Sequence, residues 1–87
     1  MVKPERGAIV CSKSGRDKGY FLVVVENALN TVLVCDGKER PIERPKKKNV
    51  KHIFLTDRRL ADDQLQTNRS IRRALEEFKA TNAKGEI

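Results

Sequence analysis

The sequence predicts a mainly β protein with a helical C-terminal part: a small antiparallel barrel of about five strands, then one or two helices. Four of the five glycines and all three prolines lie in residues 1–45, where they separate short apolar runs. After that, no glycine or proline occurs until Gly85, and apolar residues recur with helical spacing. We therefore expect a barrel over residues 1–59 and a helical extension over residues 60–87, packed on the barrel.

Apolar runs predict the first three strands. Ala8–Cys11 follows a glycine, Tyr20–Val25 is rich in aromatic and β-branched residues, and Thr31–Cys35 is almost continuously apolar. The Asp36-Gly37 pair favours a tight hairpin, because such turns need positive φ at both central positions. Lys38–Ile42 would then be a polar returning strand near an edge of the sheet.

The remaining segments predict one more strand and a helix. Val50–Leu55 is the expected last strand. A helix is expected from about Arg69 to Ala80, with Thr67 or Asn68 as its cap and a short turn of helix over Leu60–Gln66 before it. The apolar positions that define one face of this helix, at i, i+3, i+4 and i+7, are Ile71, Ala74, Leu75 and Phe78.

The net charge of +7 is concentrated in the predicted barrel. Residues 1–59 carry 14 Lys and Arg against seven Asp and Glu, whereas residues 60–87 carry five of each. A basic stripe on a small domain indicates a polyanionic partner, usually nucleic acid. The basic stretch, Lys38–Arg59, carries nine Lys and Arg against three Asp and Glu. A membrane partner is not expected, since this stretch is not an amphipathic helix and the longest apolar run, Phe21–Val25, is too short to span a bilayer. No signal-peptide pattern opens the chain, so we expect a cytoplasmic protein.

The residues that enzymes use are sparse. The chain has one histidine, His52, and two cysteines, Cys11 and Cys35, with no CxxC pair and no base beside a nucleophile. The glycine-containing segment SGRDKG lacks the spacing of a nucleotide-binding loop. We therefore expect no catalytic residues, no metal, no cofactor and no small-molecule substrate. The two cysteines are interpreted as small buried hydrophobic residues rather than a disulfide.

The segment between the first two strands carries most of the functional signal. Lys13, Arg16 and Lys18 place three cations in one short loop, with Asp17 available to hydrogen-bond to them. Glycines at positions 15 and 19 allow positive φ and a close approach of a partner to the backbone. The loop is therefore interpreted as a phosphate-binding element. The alternative is a hairpin loop whose charges only keep the protein in solution.

This segment resembles the KOW motif of ribosomal proteins and NusG-type transcription factors. The order of features over residues 7–57 is similar to the group of large-subunit ribosomal proteins fourteen, six and twenty-seven of archaea and eukaryotes. The features are Gly15 and Gly19, Val23-Val24-Val25, Asn30, Leu33-Val34, Asp36-Gly37, the basic stretch and Leu55-Thr56-Asp57. The resemblance implies an SH3-like barrel that binds ribosomal RNA without catalysis, and it does not extend to residues 60–87.

The resemblance places the nucleic-acid contacts in the loop and in the basic strand region. Tyr20 is a stacking candidate or a core residue, and His52 can stack on a base. The predicted RNA-binding residues are Lys13, Ser14, Arg16, Lys18, Tyr20, Arg44, Lys46, Lys47, Lys48, Lys51 and His52. Many cations and few aromatics favour structured RNA, read by shape and backbone. The leading hypothesis is a module that binds ribosomal RNA or the ribosome; the alternative is a protein–protein interaction module of the translation or transcription machinery. The oligomeric state stays open.

Overall fold

The computed structural model describes residues 4–85. Its strands are β1 (Ala8–Ser12), β2 (Phe21–Asn27), β3 (Thr31–Cys35), β4 (Lys46–Asn49) and β5 (Ile53–Arg59), and its α-helix is α1 (Asn68–Gly85). Short 3-10 turns over Val50–His52 and Asp62–Leu65 precede β5 and α1. The strands form one antiparallel sheet in the order β4-β3-β2-β1-β5. The predicted mainly β fold with a C-terminal helix is confirmed.

Side chains alternate between the two faces of the sheet, and each face has its own hydrophobic core. One cluster lies on the face of the sheet away from α1 and consists of Ala8, Val10, Leu22, Val24, Val32, Val34 and Ile53. The other lies between the sheet and α1, and its sheet residues are Ile9, Val23 and Cys35. Because β4 and β5 lie at the two edges, the sheet is not closed, but its order is consistent with a small SH3-like barrel.

The helix α1 packs its apolar face on the outer face of the sheet, as the residue spacing predicts. Ile71, Ala74, Leu75 and Phe78 are all buried in the core that α1 shares with the sheet. The ring of Phe78 meets that of Phe21 edge to face, with 5.1 Å between the ring centroids. Aromatic pairs of this geometry stabilise a core by about 0.5–1.5 kcal/mol beyond the burial of their area. The helix therefore covers the apolar outer face of the sheet.

Thr67 and Asn68, at the start of α1, accept hydrogen bonds from different parts of the chain. The hydroxyl of Thr67 accepts a hydrogen bond of 3.0 Å from the backbone N–H of Ser70, which makes Thr67 the cap of the helix. The side-chain oxygen of Asn68 instead accepts a 2.7 Å hydrogen bond from the backbone N–H of Ile42. This bond ties the connection between β3 and β4 to the first turn of the helix.

The hairpin predicted after Asp36-Gly37 is wrong. Residues 38–42 form turns rather than a strand, and the strand that pairs with β3 is β4. The carboxylate of Asp36 accepts hydrogen bonds from the backbone N–H groups of Lys38 and Arg40, at 2.8 and 2.9 Å, and thereby closes a local turn. Gly37 has φ of +78°, and a Cβ atom there would collide with the backbone carbonyl of Asn68. The absence of a side chain at Gly37 thus allows this turn to lie close to the backbone of α1.

The last strand is displaced from its predicted position. The sequence predicts Val50–Leu55, whereas the first three of these residues form a 3-10 turn and β5 continues to Arg59. The side chain of Asn49 caps this turn, because its oxygen accepts a 2.8 Å hydrogen bond from the backbone N–H of Lys51. Such a local side-chain bond competes with strand pairing and delays the start of β5.

Candidate nucleic-acid interface

The loop of residues 13–19, here called the basic loop, joins β1 to β2 and is held by its own backbone. The N–H of Gly19 donates to the carbonyl of Ser12 at 2.8 Å, and the N–H of Lys18 donates to that of Gly15 at 3.2 Å. Gly15 has φ of +85°, a conformation that most other residues avoid. These contacts give the basic loop a defined shape, so its charged side chains project from a fixed backbone.

The only acidic residue of the basic loop, Asp17, points inward. Its Oδ1 atom accepts hydrogen bonds from the hydroxyl of Ser12 at 2.8 Å and from the ammonium of Lys48 at 3.0 Å. The ammonium of Lys46 lies 3.5 Å from its Oδ2 atom. The expected hydrogen bonds to Asp17 from the cations of its own loop are therefore replaced by bonds from residues of β1 and β4.

The environment of Asp17 favours its charged form. Partial burial acts to raise the pKa of this carboxyl, but the hydrogen bonds from Ser12 and Lys48 and the positive charges of Lys48 and Lys46 outweigh burial. The net result is that the pKa of Asp17 is lowered. At neutral pH the carboxylate is ionised, and the ion pair joins the basic loop to β4.

Turning Asp17 inward leaves the outer side of the basic loop purely cationic. The side chains of Lys13, Arg16 and Lys18 are exposed, and none of them has an ion-pair partner among residues 4–85. Unpaired, hydrated cations on a fixed loop are the groups that bind phosphate oxygens of a nucleic acid backbone. The sequence-based interpretation of this loop therefore has a consistent geometry.

A second part of the same surface comes from the turn between β4 and β5. The backbone N–H of Lys13 donates to the carbonyl of His52 at 2.8 Å, which places this turn beside the basic loop. The side chains of Lys51 and His52 are exposed there. The ammonium of Lys13 lies 4.6 Å from the centroid of the Phe54 ring, which is also exposed. The fold thus brings the loop and the predicted residues of the turn together.

The three lysines of β4 do not form one exposed basic strand. Because side chains alternate along a strand, Lys46 and Lys48 face Asp17, whereas Lys47 points to the opposite side and is exposed. Only 6% of the Lys48 side chain is exposed, and its ammonium also donates to the carbonyl of Ser14 at 2.8 Å. We therefore assign Lys48 a structural role and leave it out of the interface.

The other predicted site residues occupy different positions. Ser14 is half-buried, and its backbone carbonyl accepts the hydrogen bond from Lys48. Tyr20 is 57% exposed, which removes the alternative that it belongs to the core. Arg44 is exposed in a turn closed by a 3.0 Å hydrogen bond from its N–H to the carbonyl of Pro41. This turn lies in the connection tied to α1, and among the described residues no hydrogen bond or ion pair joins Arg44 to the basic loop.

Sequence reasoning did not predict that Phe54 lies beside the basic loop. The alternation of residues 50–55 placed its side chain on one face of a strand without deciding whether that face is covered. Its neighbour Lys13 lies 41 positions earlier in the chain, so no local pattern connects the two. The order of strands, which puts β5 beside β1, is what brings them into contact.

Within residues 4–85, no helix is long and apolar enough to cross a membrane. Among the same residues, no group of three or more His, Cys, Asp and Glu side chains is placed to hold a metal ion.

No protein-family model matches the sequence, and no curated protein matches it either. The resemblance to the KOW family therefore stays a prediction.

Proposed function

We propose that this protein is a non-catalytic, cytoplasmic RNA-binding module whose partner is ribosomal RNA or the ribosome. The observation that carries the proposal is the inward ion pair of Asp17, which leaves the cations of the basic loop at the surface without an ion-pair partner among residues 4–85. Cations of this kind bind phosphate groups and release counterions, which makes binding favourable and dependent on salt. The choice of RNA over DNA rests on the resemblance to the KOW family.

The proposed interface consists of the outer side of the basic loop and the adjoining turn. Lys13, Arg16 and Lys18 would contact phosphates, with Lys51 and His52 extending the contact on one side. Lys48 contributes by holding Asp17 away from the bound phosphates, since a free carboxylate in the loop would repel them. The basic loop therefore binds phosphate, and Lys48 of β4 keeps the binding surface cationic by holding Asp17 inward.

A charge-reversal pair tests this interface. We compare Arg16→Glu/Lys18→Glu with Arg69→Glu/Arg73→Glu, which makes the same change of net charge on the exposed side of α1. The probe is a labelled 20-nucleotide RNA stem-loop, measured by fluorescence anisotropy at several salt concentrations. The loop variant should bind at least about tenfold more weakly, with a log–log salt slope reduced by about 0.7–0.9 for each phosphate that the variant no longer neutralises. The helix variant should bind like the wild type.

Equal losses in the two variants would show that net charge alone governs binding and would contradict the proposed site. A DNA hairpin of the same length, measured in parallel, tests the preference for RNA. Co-sedimentation with ribosomes tests the proposed partner: retention should be lost with high salt and with nuclease. Nuclease-resistant retention on a single protein would instead favour the protein-interaction function.

A further inference from the structure

Phe54 is an aromatic side chain that the fold leaves outside both cores. It lies on β5, an edge strand, and its partner across the sheet is Cys11. Because cysteine is small and β5 has no strand on its other side, 58% of Phe54 is exposed. Isolated exposed apolar residues are common on protein surfaces. Phe54 differs from such isolated residues because its ring contacts a positively charged group, the ammonium of Lys13.

The ring of Phe54 contacts the ammonium of Lys13. The Nζ atom of Lys13 lies 4.6 Å from the centroid of the Phe54 ring, which is within the range of a cation–π interaction. Among residues 4–85, Lys13 forms no ion pair. Its backbone is fixed to the turn at His52, so the cation and the ring are held on neighbouring elements. An aromatic ring and a cation are therefore placed together beside the basic loop.

We propose that Phe54 is a stacking surface for an unpaired RNA base, and that Lys13 binds the phosphate of the same or the adjacent nucleotide. This inference rests on the proposed function and specifies its substrate class: single-stranded or looped RNA rather than uninterrupted duplex. A base within a duplex is covered on both faces by its neighbours, so only an unpaired base can lie flat on the ring. Stacking requires no particular base, because every base has a π face.

The charge distribution favours this occupant over an apolar peptide. The ammonium of Lys13 lies beside the ring, and the turn that precedes β5 carries Lys51 and His52, both of them exposed. An apolar peptide side chain could cover the ring, but it would remove the ammonium of Lys13 from water without offering it an anion. A nucleotide satisfies both groups, because its base is flat and apolar on its faces and its phosphate is anionic.

The test separates stacking from charge. The probes are a 12-nucleotide single-stranded RNA with 2-aminopurine at its centre and a blunt RNA duplex of the same sequence. The variants are Phe54→Leu, which keeps apolar bulk but removes the ring, and Phe54→Tyr, which keeps the ring. Leu29→Ala is the matched control, because Leu29 is an exposed apolar residue on the turn between β2 and β3. Thermal unfolding of each variant verifies that the fold is retained.

We expect Phe54→Leu to weaken binding of the single strand by about 5- to 150-fold, the range that corresponds to the loss of a stacking aromatic. Duplex binding should stay unchanged, and Phe54→Tyr should restore single-strand binding. Quenching of 2-aminopurine on binding should be seen with the wild type and Phe54→Tyr, and should be absent with Phe54→Leu. Leu29→Ala should behave like the wild type with both probes.

The inference is overturned if Phe54→Leu binds the single strand as tightly as the wild type, or binds both probes more weakly by the same factor. In either case the proposed function still stands if Arg16→Glu/Lys18→Glu weakens RNA binding. Absence of RNA binding by the wild type would overturn both proposals. The two failures are therefore distinguishable.

Discussion

The ammonium of Lys48 lies 3.0 Å from the carboxylate of Asp17, and only 6% of the lysine side chain and 12% of the aspartate side chain are exposed. This pair joins the middle of β4 to the loop between β1 and β2, two segments 31 positions apart in the chain. It performs two tasks, since it anchors the basic loop and withdraws the loop's carboxylate from the surface. The pair therefore connects the stability of the barrel to its proposed binding surface.

Replacing Lys48 should destabilise the protein more than replacing its neighbour. Removal of one partner from a buried ion pair costs about 3–5 kcal/mol; because Lys46 still lies near Asp17, we expect about 2–3 kcal/mol for Lys48→Met. Lys47→Met is the matched control, since Lys47 is exposed and unpaired among the described residues, and it should change the free energy of unfolding by less than about 0.5 kcal/mol. Urea denaturation measures both. Equal losses of unfolding free energy in the two variants would mean that the ion pair between Lys48 and Asp17 does not stabilise the fold.

The free energy of unfolding should depend on pH in the acid range through Asp17. The pKa of this group is lower in the folded protein than the ordinary value of 3.8, so the native state favours the ionised carboxylate. Its contribution is fully present above the ordinary pKa and is lost as pH falls through the lowered folded-state pKa. Asp17→Asn should therefore be less stable than the wild type at pH 7, and the difference should shrink as the pH is lowered below about 4. A difference that stays constant down to about pH 2 would contradict this assignment.

Substitution of Gly37 should cost more than substitution of Gly19. Both glycines have positive φ, +78° and +88°, so alanine is strained at either position. At Gly37 the added Cβ atom also collides with the backbone of Asn68 in the first turn of α1, whereas nothing lies within 4 Å of the corresponding atom at Gly19. We expect a loss of about 1–2 kcal/mol for Gly19→Ala and at least about twice that for Gly37→Ala, because the helix must also move. Chemical denaturation of the two variants compares them, and equal losses would argue against close packing at Gly37.

The two cysteine thiols should react poorly while the protein is folded. Burial, together with the nearby negative charge of Asp36, raises the pKa of Cys35 to about 11, and burial raises the pKa of the half-buried Cys11. Since the thiolate is the reactive form, labelling by a disulfide reagent at about pH 8 should be slow for Cys11 and slower still for Cys35. Both thiols should react rapidly in denaturant. Fast labelling of Cys35 in the native protein would show that the core between the sheet and α1 opens readily.

Local sequence patterns were sufficient for most of the secondary structure. The apolar runs located β1, β2 and β3, and the helical spacing of Ile71 and Phe78 identified the face of α1 that packs on the sheet. The failure at Asp36-Gly37 has a physical cause. A hairpin signal reports only that the chain turns, whereas the first turn of α1 and the hydrogen bond from Ile42 to Asn68 determine where it goes next.

The separation of charge was also a property of the sequence by itself, because a count of residues places the basic excess in the barrel part. Which of these cations are free was decided only by the tertiary structure. Lys48 and Lys47 are adjacent and chemically identical, yet the alternation of β4 directs one to Asp17 and the other to solvent. Likewise, the contact between Lys13 and Phe54 exists because β5 pairs with β1. Contacts between distant segments depend on strand order and register, which short-range patterns do not specify.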